Sequence, residues 1–188
     1  MAKGSLTVIS GPMFSNKSGE LIRLATVHRI AGRRVGIFKH SLDDRYEGAA
    51  HISTHGGQSA EAEPVGSSAS IGLLATSYEV IAIDEAQFFD EGLTGVCAQL
   101  VEAGVTVFVA GLDRNFKGEP FGPMAELMAL ADDVMKLRAV CMKCRSLEGS
   151  MTQRLIEGKP ASRSSPVILI GAAEAYEARC RNCHELAD

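Results

Sequence analysis

The chain reads as an α/β protein on a parallel sheet. Three observations predict this: short apolar runs rich in β-branched residues, helical patterns between them, and a glycine-rich turn joining the first run to the first helix. The runs are Leu6–Ile9, Val35–Phe38, Val80–Ile83 and Val105–Ala110. Helices are expected over about Ser18–Ala31, ending before Gly32, over Asp90–Ala103, ending before Gly104, and over Pro123–Ala131. Val134–Leu137 adds a further strand. Between Lys39 and Ser67 runs a polar stretch containing Asp43-Asp44-Arg45-Tyr46 and His55-Gly56-Gly57; loops this long are functional or mobile. The alternation stops near Ala139, which divides the chain into residues 1–139 and 140–188. In the second part, Gly158–Pro166 has the composition of a flexible loop.

A chain of 188 residues, 46% hydrophobic and 22% charged, can bury one sizeable core with a small appendage. No segment has the apolar length to cross a bilayer, so no membrane partner is expected and the cytoplasm is the expected location. The net charge of −4 is uneven: residues 1–135 hold 17 acidic against 10 basic side chains, and residues 136–188 hold 6 against 9. A surplus that small is more simply a solvated face than a nucleic-acid contact.

Gly11, four residues, then Asn16-Lys17-Ser18 nearly fits the phosphate-loop pattern, in which backbone N–H groups and a helix N-terminus wrap a polyphosphate, a lysine neutralises it and a serine binds magnesium. Asn16 stands where that pattern has glycine, and asparagine is the non-glycine residue that best tolerates a positive φ. Lys17 sits at a helix start, where the macrodipole disfavours a cation unless an anion is bound. An ordinary glycine-rich turn does not account for it.

Val80-Ile81-Ala82-Ile83-Asp84-Glu85 is an apolar strand ending in two carboxylates, the arrangement that places an aspartate near magnesium beside the lysine and serine of the loop. Adjacent residues at a strand end point to opposite faces, so the two acids divide the work. Asp84 is the metal-side candidate, with Ser18, and Glu85 is placed as a general base.

Cys141-x-x-Cys144 and Cys180-x-x-Cys183, 35 residues apart, have the pairing of a structural zinc ribbon with a loop hung between its knuckles. Two disulfides are the rival, disfavoured in a reducing compartment. His184 is expected outside the ligand set, and Cys97 is expected as a small core residue. Phe88-Phe89, Phe116 and Phe121 follow strand ends, where ligands sit in such sheets; they are either a slot for a flat ring or core, and spacing does not decide.

Together GPMFSNKS, DDRY, IDEAQFF, GLDRNFKGEPFG, CMKC, MTQR and Tyr176 followed by CRNC resemble the type II, zinc-containing thymidine kinases, from about Leu6 to His184. The resemblance implies a P-loop, RecA-like parallel sheet with flanking helices, plus a small C-terminal zinc-ribbon domain carrying a lasso loop. It implies transfer of the γ-phosphoryl of ATP to the 5′-hydroxyl of thymidine or deoxyuridine, with Mg²⁺ beside the ATP and structural Zn²⁺ on Cys141, Cys144, Cys180 and Cys183. Glu85 stands where the family keeps its base. The ATP and phosphate contacts are implied at Gly11, Pro12, Met13, Phe14, Ser15, Asn16, Lys17, Ser18, Asp84, Glu85 and Gln87, with Asp43 and Arg45 near the phosphates and metal. Met13, Phe88, Leu112, Phe116, Phe121, Thr152, Leu169 and Tyr176 match the thymine pocket. Gly158–Pro166 is expected to order over bound nucleoside. A homotetramer and feedback inhibition by thymidine triphosphate are implied, and nucleic acid is not an expected partner.

The chain departs from the family pattern where it has Asn16 and Gly19 in place of Gly and Thr, and Ala172 replaces the second of two glycines. Leu169 is larger than the usual Val, and Arg114 adds a charge, expected as a solvated loop residue. Two readings from other classes compete: an ATPase coupled to nucleic acid through Lys143, Arg145, Arg179 and Arg181, and a non-catalytic nucleotide-binding regulator.

Overall fold

Val80 and Ala82 face one side of the sheet and Ile81 and Ile83 the other, and all four are fully buried. A strand apolar on both faces needs cover on both, which is the condition for a parallel sheet between helix layers. The computed structural model describes residues 3–42, 51–53, 57, 59–168 and 174–188. The central sheet uses β1 (Ser5–Ser10), β2 (Val35–His40), β5 (Glu63–Val65), β6 (Val80–Asp84), β7 (Thr106–Gly111) and β8 (Asp133–Lys136). Its order is β5-β2-β6-β7-β1-β8, and every pairing is parallel.

Helix α1 (Lys17–Ile30) covers one face, where Leu21, Ile22 and Ala25 pack on Ile9, Val80, Ala82 and Phe108. On the other face lie α2 (Ser68–Leu74), α3 (Gly92–Glu102) and α4 (Met124–Leu130), whose Ile71, Leu93, Cys97, Met124 and Leu127 pack on Val8, Ile81, Ile83 and Val109. Cys97 is the core residue expected of it, and burial pushes its thiol up to about 12.

Every strand and helix expected from the sequence forms, within two residues at each end. The polar stretch after β2 holds more order than its composition predicts: β3 (His51–Ser53) pairs antiparallel with β4 (Ser59–Glu61), and β5 joins the central sheet. Three-residue strands carry too little periodicity to read. Helix α2 is hidden for a different reason. The Asp90 carboxylate, 22 positions away, accepts from the Ser68 N–H at 2.9 Å and from its hydroxyl at 2.6 Å, replacing a local cap. Asp90, expected inside α3, lies just ahead of it, and its carboxylate serves the start of α2 as well as accepting from the Gly92 N–H of α3 at 3.0 Å.

Beyond Ala139 a second sheet forms, with β9 (Met151–Ile156) between β10 (Lys159–Pro160) and β11 (Glu174–Arg179), antiparallel throughout. Part of Gly158–Pro166, expected as loop, is therefore hairpin. Glu157 (φ 49°) and Gly158 (φ 76°) form the turn that returns β9 into β10, and positive φ at both turn residues suits the right-handed strand twist. The C-terminus ties down the next residues: Ala187 N–H donates to Ala161 O at 3.0 Å, and Arg163 N–H donates to Ala187 O at 2.9 Å.

Candidate active site

Strand β1 delivers Gly11 to the top of the sheet, and the loop to α1 uses two positive-φ residues besides it, Phe14 (φ 64°) and Asn16 (φ 64°). Asn16 takes the left-handed conformation (ψ 32°), as its residue type predicts. Gly11 must be glycine: its φ is 148°, and a Cβ there would lie 2.6 Å from the Leu137 carbonyl oxygen. The loop is closed from within, because Ser15 Oγ and Lys17 Nζ each donate to Pro12 O at 2.8 Å.

The end of β6 faces this loop. Asp84 is 4% exposed, and its carboxylate accepts from the Ser18 hydroxyl and, at 3.0 Å, from the Glu85 N–H. Burial raises the Asp84 carboxyl to about 7, assisted by the neighbouring Glu85 charge and opposed by Ser18 and Lys17. A carboxylate held so far from water, with a hydroxyl and an ammonium beside it, suits a hard cation such as Mg²⁺, whose charge would offset the desolvation. The donor set of Ser18 and Asp84 fits that ion.

Glu85 has already left the strand. Its backbone is left-handed (φ 53°, ψ 41°), so this turn, rather than strand pleating, separates its side chain from that of Asp84. Its carboxylate accepts from Gln87 Nε2, and Gln87 Oε1 accepts from the Leu112 N–H at 2.9 Å. Gln87 is 2% exposed. It thus links the strand-end acid to the loop after β7, and that loop carries Phe116 and Phe121.

The aromatic residues divide between slot and core. Phe89 is core, whereas Phe88 and Phe121 are half-buried and meet edge to face with ring centroids 5.8 Å apart. Phe116 is buried beneath two cations, with the Arg154 guanidinium 5.1 Å and Lys117 Nζ 5.6 Å from its ring centroid. Thr152 Oγ1 accepts from the Met13 N–H at 3.1 Å, joining residues 139 positions apart. Tyr176 lies opposite Arg154 in the β9–β11 register. Met13 is thereby joined to Thr152, Leu112 to Glu85 through Gln87, and Phe116 to Arg154, whose register partner is Tyr176. Asp43, Arg45, Leu169 and Ala172 lie outside the described residues.

Three residues of this assembly have partners that the sequence did not name. Arg154 is the largest fully buried side chain among the described residues; besides facing Phe116 it donates to Pro166 O at 2.6 Å. The sequence hint at Arg154 is its place in the MTQR motif. His184 lies outside the cysteine set, as expected, with Nε2 2.8 Å from Phe116 O. Arg114 is not the solvated loop residue expected. Its side chain is 17% exposed, donates to Ser150 O at 2.8 Å and pairs with Asp113, which Lys136 also meets at 2.9 Å.

The sulfur atoms of Cys141, Cys144, Cys180 and Cys183 all lie within 4.8 Å of one another, and none is in a disulfide. Cys144 and Cys180 Sγ are 3.7 Å apart, close to the edge of a tetrahedron with metal–sulfur bonds of about 2.3 Å. The donor set fits zinc, and the two-disulfide alternative has no support here. Among the described residues, no helix is long and apolar enough to cross a membrane. Compared with known families, residues 4–184 match the family model for thymidine kinase.

Proposed function

The chain belongs to the thymidine kinase family, and from that premise we propose that it transfers the γ-phosphoryl group of ATP to the 5′-hydroxyl of thymidine, and of deoxyuridine. The observation that carries this reading is the junction of Ser18 with Asp84, one residue from Glu85 and two bonds of a hydrogen-bonded chain from the Leu112 loop. Phosphoryl transfer asks a protein for positioning and charge stabilisation more than for covalent chemistry. The N–H groups of Gly11 and of residues 13–18, with the Lys17 ammonium, hold the polyphosphate. Ser18 and Asp84 would hold Mg²⁺, which would supply positive charge against the charge that develops in the transfer.

Glu85 accepts the 5′-hydroxyl proton while the O–P bond forms and the β–γ bridging bond breaks, releasing ADP and the 5′-monophosphate. Gln87 holds the Glu85 carboxylate in place. The thymine ring lies among Met13, Phe88, Phe116, Phe121 and Tyr176, with Thr152 at its edge, and the segment between the cysteine pairs closes over it to exclude water. Zinc on the four cysteines is structural, since a closed tetrahedral set leaves no open position. Residues 1–139 form the nucleotide part and 140–188 the substrate part. A homotetramer, inhibition by the triphosphate end product and a cytoplasmic location belong to the same reading.

The test is a coupled assay of ATP with each deoxynucleoside, for the wild type and Glu85→Gln. Thymidine and deoxyuridine are expected as acceptors, and the variant is expected to lose a factor of about 10²–10⁴ in kcat. A Gln variant as fast as wild type removes Glu85 from the chemistry. ATP hydrolysis stimulated by DNA or RNA, with no nucleoside product, would favour the nucleic-acid-coupled ATPase instead.

A further inference from the structure

Asn16 and Gly19 are each unusual for their position, and the structure places them against each other. Asn16 is exposed and left-handed, its C=O accepts from the Glu20 N–H at 3.1 Å, and its side chain makes no capping hydrogen bond to the helix. Gly19 is buried in the first turn of α1, where glycine is the poorest helix former after proline. A Cβ built on Gly19 would lie 2.7 Å from both Cγ and Nδ2 of Asn16. The carboxamide of Asn16 therefore occupies the volume that any side chain at 19 would need.

From this juxtaposition we infer that Asn16 and Gly19 are a matched pair, and that Asn16 is a positioning residue for the phosphate-binding loop. The inference rests on reading residues 11–18 as that loop. A bare glycine at 16 would let the backbone wander between left- and right-handed regions. Asparagine restricts it, and seating its carboxamide over Gly19 holds the N–H groups of residues 16–18 in the direction a polyphosphate needs. Gly19 supplies the seat. Any β-carbon at 19 dislodges the Asn16 side chain, whereas glycine at 16 frees the space again.

The pair is tested by a double-mutant cycle on the full chain loaded with zinc: wild type, Asn16→Gly, Gly19→Thr and the double variant. The readouts are direct titration with a nonhydrolysable ATP analogue plus Mg²⁺, the KM of ATP, the KM of thymidine and the melting curve. Gly19→Thr alone is expected to weaken the analogue about tenfold, within the coupling range of contacting residues, and to raise the KM of ATP while that of thymidine stays put. In the Asn16→Gly background the same change is expected to cost less than about twofold, which is the signature of independence once the contact is gone. Gly19→Ala, a smaller intrusion, is expected to fall between. It keeps the test decisive if Gly19→Thr does not fold.

Equal effects of Gly19→Thr in both backgrounds would overturn the pairing. So would a Gly19→Ala or Gly19→Thr variant that melts earlier yet binds the analogue as wild type does, because the contact would then serve the helix alone. Wild-type protein that binds no analogue overturns the loop reading beneath the pair, and that result shows before any substitution is made.

Discussion

The loop proposed to hold phosphate and the residues proposed as the base slot are joined at Met13 and Thr152 but are built on different principles. The loop is one run of eight residues whose closing bonds are local: Ser15 and Lys17 both return to Pro12. The slot is assembled from distant pieces, with Met13 meeting Thr152 across 139 positions and Phe116 meeting His184 across 68. A local site inherits its geometry from backbone conformations that residue types announce. An assembled site exists only after the second sheet has formed and docked.

That contrast predicts an asymmetry under damage. The largest effect is expected on removing the metal, by chelation or by Cys144→Ala. A structural zinc site contributes on the order of 10 kcal/mol to folding small modules, so residues beyond 139 should lose their order and nucleoside binding should vanish. The loop should continue to bind ATP, because the bonds that close it, from Ser15 and Lys17 to Pro12, lie within residues 11–18. Calorimetric titration with each ligand in turn checks this, and simultaneous loss of both affinities would break the comparison.

Arg154→Met should act next most strongly. It leaves the Pro166 carbonyl without its guanidinium donor and Phe116 with Lys117 as its remaining cation. A hydrogen bond from a charged donor is worth about 1.5–3 kcal/mol, so the KM of thymidine should rise about tenfold while that of ATP holds. Arg154→Lys should recover part of the loss by keeping the charge over the ring. Steady-state kinetics with each substrate varied separately decides the matter; an equal rise in both KM values would mean that Arg154 supports the whole fold rather than the slot.

The smallest effect belongs to Thr152→Val, which removes the acceptor for the Met13 N–H while nearly conserving shape. One neutral hydrogen bond is worth about 1 kcal/mol, enough for a several-fold change in nucleoside affinity. Met13 sits on the loop itself, so this bond is a direct seam between the two regions. A parallel shift in ATP affinity would sharpen the comparison by showing that the seam transmits.

Legibility followed the same division. The apolar runs announced the parallel sheet because a strand buried on both faces must be apolar throughout, as Val80–Ile83 is. Asn16 announced its left-handed backbone. The aromatic residues did not announce their fates: Phe89 went to the core while Phe88, one residue earlier, turned toward Phe121. Successive residues share composition but not direction, and only the turn at Glu85 settled which ring went where. Arg114 misled because a loop arginine is ordinarily solvated, whereas here the second sheet comes close enough to offer it the Ser150 carbonyl.

By itself, then, the sequence determined the sheet, the tight loop from Gly11 to Ser18, the strand-end acids and the paired cysteines. Each of these depends on residue type within a short window, where backbone preference and side-chain period act directly. Tertiary structure alone decided that Asp90 starts α2, that Gln87 ties Glu85 to the Leu112 loop, and that Arg154 stands between Phe116 and Pro166. It also decided that the Asn16 side chain rests on Gly19. Such contacts form because burial leaves a polar or bulky group only the partners that packing brings, and no short window of sequence names them.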